Sequence, residues 1–148
     1  MQITKFSDFA LRVLIHLAVS GEKRLSTREI AEQQGISFTH LAKVTQWLAA
    51  EGYVHASRGR NGGMTLAAPP GAISIGAMLR KSEAGSALVE CLRADGGCCA
   101  LTPACGLLPL LSGAQEAFFA HLDSKTLEDV LNGQPAMRRL VAALDGAG

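Results

Sequence analysis

Residues 26–66 leave the chain few alternatives. Ser26 followed three positions later by Glu29 is a capping-box signature, and Ile30 and Ala31 begin the apolar side of the helix it starts. Gly35 ends that helix, Ile36-Ser37 opens the next, and Gly52 stops it. Leu41, Val44 and Leu48 share the inner face of the later helix, which leaves Ser37 at its start and Thr39, His40, Lys43 and Gln46 outward. Tyr53-Val54-His55-Ala56-Ser57 and Met64-Thr65-Leu66 then form two short strands around the glycine-rich turn Arg58-Gly59-Arg60-Asn61-Gly62-Gly63. Two short helices hinged at a glycine, with a polar outer face on the second and a basic hairpin after it, predict a winged helix-turn-helix.

The flanking sequence predicts more helix. Residues 6–19 carry Phe6, Phe9, Val13, Leu14, Leu17 and Ala18 at helical spacing, with Asp8 and Arg12 four apart on the remaining face. Ser74 caps a fourth helix reaching about Lys81. Residues 85–103 have little periodicity. Leu107, Leu111, Ala114, Phe118 and Leu122 form the stripe of a longer helix, in which Pro109 is tolerable only in the first turn. Asp123-Ser124 breaks it, and residues 126–131 and 137–144 are short amphipathic pieces. The expected fold is mainly α, divided into a winged helix-turn-helix over residues 1–82, a loop over 83–106, and a long helix with a C-terminal segment over 107–148. No run approaches the roughly 18–20 apolar residues of a membrane span, and no signal core opens the chain, so a cytoplasmic protein without a membrane partner is expected.

Charge separates the two ends. Residues 1–81 hold ten Lys/Arg against five Asp/Glu, a net of +5, and residues 82–148 hold four against eight, a net of −4. Such a split suggests that the first part meets a polyanion. Ser37, Thr39, His40, Lys43 and Gln46 suit base edges and phosphates in the major groove of double-stranded DNA. Arg58, Arg60 and Asn61 sit on a turn whose glycines let backbone approach the duplex.

All four cysteines, Cys91, Cys98, Cys99 and Cys105, fall within fifteen residues. In a chain without a secretion signal, such a cluster points to a metal or redox site before a disulfide framework. Soft thiolates at Cys91, Cys99 and Cys105 suit an iron–sulfur cluster or zinc. No Cys-x-x-Cys knuckle is present and no histidine lies between Cys91 and Cys105, so a zinc set would need all four cysteines. A small thiol oxidoreductase using Cys98-Cys99 would lack both the Cys-x-x-Cys motif and a thioredoxin-like βαβ pattern, so the chain is not expected to be an enzyme.

Ile3-Thr4-Lys5-Phe6-Ser7-Asp8-Phe9-Ala10-Leu11-Arg12, the Arg-Gly-Arg-Asn-Gly-Gly turn and Ser74-Ile75-Gly76 together resemble the iron–sulfur winged-helix regulators. Val89-Glu90-Cys91, the run from Cys99 through Leu101-Thr102-Pro103 to Cys105, and Leu122-Asp123 with Thr126-Leu127-Glu128-Asp129 look like the nitric-oxide-responsive repressors of that family. The resemblance implies a homodimer joined mainly through the helix after Cys105. It also implies a [4Fe–4S] cluster on three cysteines, with a carboxylate from the partner subunit's first helix as fourth ligand, here Asp8. IscR-type members have a histidine three residues after the last cysteine, where this chain has Leu108, which argues against their [2Fe–2S] ligand set as the alternative. The spacing leaves Cys98 as a substitute for Cys99. Nitric oxide is the implied signal, with iron or oxygen status as the alternative.

Overall fold

The computed structural model describes residues 2–57, 59 and 62–146. It is mostly helical with one two-stranded antiparallel hairpin. Helix α1 (Lys5–Ser20) starts at Thr4, whose hydroxyl accepts the Ser7 N–H, and ends at Gly21. Helix α2 (Thr27–Gln34) begins with both halves of the capping box made by Ser26 and Glu29, which holds the Glu29 carboxyl below its usual range through the Ser26 hydrogen bonds. Gly35 closes α2 at φ 63°, a left-handed conformation that side chains with a Cβ disfavour. Helix α3 is Phe38–Ala50. Thr27 and Thr45 hydroxyls meet at 3.1 Å and pin α2 to α3.

Strands β1 (Val54–Ser57) and β2 (Gly63–Leu66) pair with Val54 opposite Leu66 and Ser57 opposite Gly63. Leu25, in the link before α2, exchanges two backbone hydrogen bonds with Met64, at 2.8 and 3.2 Å, and so anchors the hairpin to the helices. Helix α4 (Ile75–Ser82) is capped by Ser74 as expected. After it come two short 3-10 turns, Glu90–Leu92 and Thr102–Ala104, then α5 (Leu107–Asp123), α6 (Leu127–Leu131) and α7 (Pro135–Gly146).

One core holds the chain together. Val13, Leu14, Leu17, Leu25, Ile30, Leu41, Val44, Leu48, Met78 and Leu127 are buried in it. Each such aliphatic side chain contributes about 1.5–3 kcal/mol by leaving water. Helix α1 is more deeply embedded than its apolar spacing indicates. Ala10, Ser7 and His16 are buried with Val13, Leu14 and Leu17, while Phe6 and Phe9 stay half-buried. Two sets of contacts account for it: α6 and α7 pack back on α1 with Leu127 in the core, and Ser7 meets Ser82 at the end of α4. His16 is fixed there from two sides, its Nε2 2.9 Å from Asp145 Oδ1 on α7 and its Nδ1 2.9 Å from Gln34 Nε2 on α2. One tautomer satisfies both contacts, with Nε2–H donating to Asp145 and Nδ1 accepting from the Gln34 amide.

Helix α5 is placed by its ends. Gly76 of α4 lies against Asp123, where an added Cβ would come within 2.6 Å of the Asp123 Cα. Arg80 forks onto Asp123 and Glu116 and lies 4.9 Å from the centroid of the Phe119 ring. Helix α5 is thereby clamped along α4, yet not one residue from 84 to 126 is buried. Leu107 and Leu110 are 58% and 69% exposed.

Candidate nucleic-acid interface and cysteine loop

Along α3, Leu41, Val44, Thr45 and Leu48 are buried, and Ser37, Thr39, His40, Lys43 and Gln46 are all exposed. The five side chains picked out by spacing are therefore all open to solvent on or at the start of the second helix of the helix-turn-helix. They combine hydroxyl, imidazole, ammonium and amide groups, a set able to meet both phosphates and base edges. Arg58, Arg60 and Asn61 lie outside the described residues. Of the glycines in this stretch, Gly59 has φ 109° and Gly63 φ 154°, and the Gly62 N–H donates to Gly59 O at 2.9 Å. At the end of β1, Arg24 donates to Ser57 Oγ at 2.7 Å.

Spacing did not single out Phe38 or Arg28. Phe38 is the first residue of α3 and is 46% exposed, with the Arg28 guanidinium 5.0 Å from its ring centroid. Its place on the Leu41 and Leu48 side of the helix is a core signal. The signal fails because Phe38 is the first residue of the helix, where its ring meets the Arg28 guanidinium of α2 instead of the core.

The cysteine loop leaves α4 at Glu83, the one buried acid at this end of the fold. Glu83 Oε1 accepts both the backbone N–H and the hydroxyl of Thr4 at 2.8 Å, and Ser7 Oγ donates to Ser82 Oγ at 2.8 Å. Burial by itself would raise the Glu83 carboxyl, but hydrogen bonds from Ser7, Thr4 and Ser86 outweigh it and hold the group below the usual range. The base of the loop is in this way tied to the first turn of α1. Asp8 follows Ser7 on that turn and forms an i, i+4 ion pair with Arg12, Oδ2 to Nη2 at 2.8 Å, with both side chains more than a third exposed. Such a pair contributes only about 0.3–0.5 kcal/mol.

The four cysteines carry free thiols. Cys91, Cys99 and Cys105 are half-buried and Cys98 is exposed. The Cys98 N–H donates to Glu90 Oε1 at 2.9 Å, so Glu90 braces the loop from the residue next to Cys91. Gly97 approaches the same residue: an added Cβ would lie 2.6 Å from Glu90 O. Among the described residues, no three His, Cys, Asp or Glu side chains stand close enough to hold a single ion. In chemical type the donor set, thiolates without an intervening histidine, fits an iron–sulfur cluster. Cys91, Cys99 and Cys105 are the three partly shielded thiols that could hold it. Among the described residues no helix is long and apolar enough to cross a membrane.

Known proteins supply an independent view. The Rrf2 family, described as iron-dependent transcriptional regulators, matches residues 3–133. The HTH-type transcriptional regulator NsrR of Geobacillus kaustophilus is 43% identical over 142 residues, covering 95% of this chain and 97% of that protein. The HTH-type transcriptional repressor NsrR of Streptomyces coelicolor is 44% identical over 133 residues, 88% of each chain. Among solved structures, T. potens IscR is similar with a TM-score of 0.66 at 26% identity, covering 88% of this chain and 86% of that one. CymR, the global cysteine regulator of B. subtilis, is similar with a TM-score of 0.63 at 28% identity, covering 88% and 95%. The relatives are named for regulating transcription, which is not an enzymatic role. By the match over most of its length and by its winged-helix fold, the chain belongs to the Rrf2 family of DNA-binding transcriptional regulators.

Proposed function

We propose that this regulator is a cytoplasmic homodimeric repressor that carries an iron–sulfur cluster, of the [4Fe–4S] type, and leaves its operator when nitric oxide reaches that cluster. Residues 1–82 contact DNA, residues 83–106 hold the cluster, and α5 within residues 107–148 joins the two subunits. Ser37, Thr39, His40, Lys43 and Gln46 take the major groove, and Arg58, Arg60 and Asn61 take phosphates and the minor groove. Cys91, Cys99 and Cys105 are the thiolate ligands, and Asp8 is the fourth ligand, reaching the site of the partner subunit. The reduced thiols of a cytoplasmic protein suit that role.

What carries this reading is the junction of Thr4, Ser7, Ser82 and Glu83, which fastens the root of the cysteine loop to the helix turn bearing Asp8. The loop that bears the cysteines is thus anchored at its root to α1, and α1 packs directly on α3. The cluster, when bound, supplies iron that nitric oxide attacks. Asp8 would hold the cluster of the partner subunit, and without that tie the two α3 helices would lose the spacing that matches the operator half-sites. The exposed leucines of α5 supply the apolar surface for subunit pairing.

Anaerobic native mass spectrometry tests the reading. Two chains with four irons and four sulfides per chain are expected, and a stepwise mass gain on adding nitric oxide with parallel loss of operator binding. An iron-free chain that binds its operator equally with and without nitric oxide would overturn it. Release by oxygen or iron depletion alone would move the signal to one of those.

A further inference from the structure

We propose that Phe38 contacts the 5-methyl group of a thymine in the major groove, so that this phenyl ring sets part of the operator sequence. The inference rests on the operator-binding reading above and adds a specificity residue to it. Phe38 is exposed, whereas each of the other phenylalanines, Trp47 and Tyr53 is at least half-buried. It is the first residue of α3, next in sequence to the exposed Ser37, Thr39 and His40, and the N-terminal residues of a recognition helix are the ones that reach base edges. The α5 leucines lie on a different surface, since α3 packs on α1, α2 and β1 while α5 packs on α4. The ring is therefore not an extension of the apolar subunit-pairing patch.

Arg28 of α2, itself exposed, lies over the ring at 5.0 Å and restrains it. A cation at this edge also favours approach of a polyanion over an apolar protein partner. A phenyl ring has no hydrogen-bonding group, so it cannot discriminate among the donor and acceptor patterns of the bases. Thymine alone presents an apolar group in the major groove, its C5 methyl, and contact with that methyl is the one form of base selection open to this side chain.

Deoxyuridine removes the methyl and leaves every hydrogen-bonding group of thymine in place. The full chain, purified anaerobically, is first used to select its preferred duplex. Each thymine is then replaced singly by deoxyuridine and affinity is measured by fluorescence anisotropy. One position per half-site should weaken binding about fourfold, the worth of one buried methyl, and both half-sites together about fifteenfold. Phe38→Ala should bind thymine and deoxyuridine duplexes equally at that position, and Phe38→Leu should keep part of the difference. Indifference of the parent to deoxyuridine at every position overturns the proposal without any variant having to fold, as does undiminished sensitivity in Phe38→Ala. A parent that selects no duplex at all would instead overturn the operator-binding reading.

Discussion

The part of the chain before Glu83 and the stretch from 84 to 126 are built on opposite terms. In the first, every helix turns an apolar face into one core, and even the polar Ser7, His16 and Thr45 are buried with partners. In the second, no residue is buried, although α5 is rich in leucine and phenylalanine and three of the thiols are half-shielded. A single chain completes the first region by itself. The second region offers thiolates and an apolar helix surface; on the proposed function these are completed by a metal cluster and a second copy, so its order should depend on both while that of the first does not.

The sharpest break of this contrast is at the cysteines. Cys91→Ala, Cys99→Ala and Cys105→Ala proteins should each purify nearly colourless, while Cys98→Ala should retain the visible absorption of the parent. Their circular dichroism should stay mainly helical, because the winged-helix core needs none of these side chains. A colourless Cys98→Ala beside a brown Cys99→Ala would exchange their roles.

Next in size is one chemical change made in both regions. Leu14→Ala deletes a fully buried side chain and should cost about 2–5 kcal/mol of unfolding free energy, seen in denaturant melts. Leu110→Ala alters a side chain that is 69% exposed and should leave a monomer's own stability nearly unchanged. Sedimentation equilibrium should instead show weaker dimerisation. Equal stability losses at the two positions, with no change in assembly, would erase the distinction.

The smallest expected effect lies at the seam between the regions. Glu83 is held below its ordinary ionisation range in the folded chain, so it adds stability above that range and loses it as pH falls through it, from about pH 4.3 downward. Glu83→Gln should cost about 1–3 kcal/mol at neutral pH and flatten the acid side of the stability profile. A profile parallel to the parent's would place the acid sensitivity elsewhere. Asp145 is the first candidate, because hydrogen bonds from Ser20 and His16 overcome the upward push of burial and lower its pKa too.

Much of this was legible in the sequence because it is encoded locally. The Ser26–Glu29 box, Gly35, the hairpin pattern and the Ser74 cap each occupy a few consecutive residues, and the structure forms each of them. The outward set on α3 followed from a single helical repeat. The misses have a different origin. Thr4 and Glu83 are 79 residues apart, and His16 and Asp145 are 129 apart, and no periodicity announces such pairs. Phe38 was hidden by the opposite problem, a helical spacing that marks it as core at a point where the core has ended.

The central claim is that Asp8 ties the cluster of one subunit to the DNA-binding helices of the other. In the chain as folded, Asp8 pairs with Arg12 at the surface. Carboxylate is a harder, weaker partner for this iron than thiolate, so Asp8→Ala should still assemble a cluster on its three cysteines. Operator affinity of cluster-loaded Asp8→Ala, measured beside cluster-loaded parent before and after nitric oxide, tests the tie directly. The account predicts that the variant binds at least tenfold more weakly than the parent before nitric oxide and changes little on its addition. Equal affinities before, with equal loss after, would contradict it.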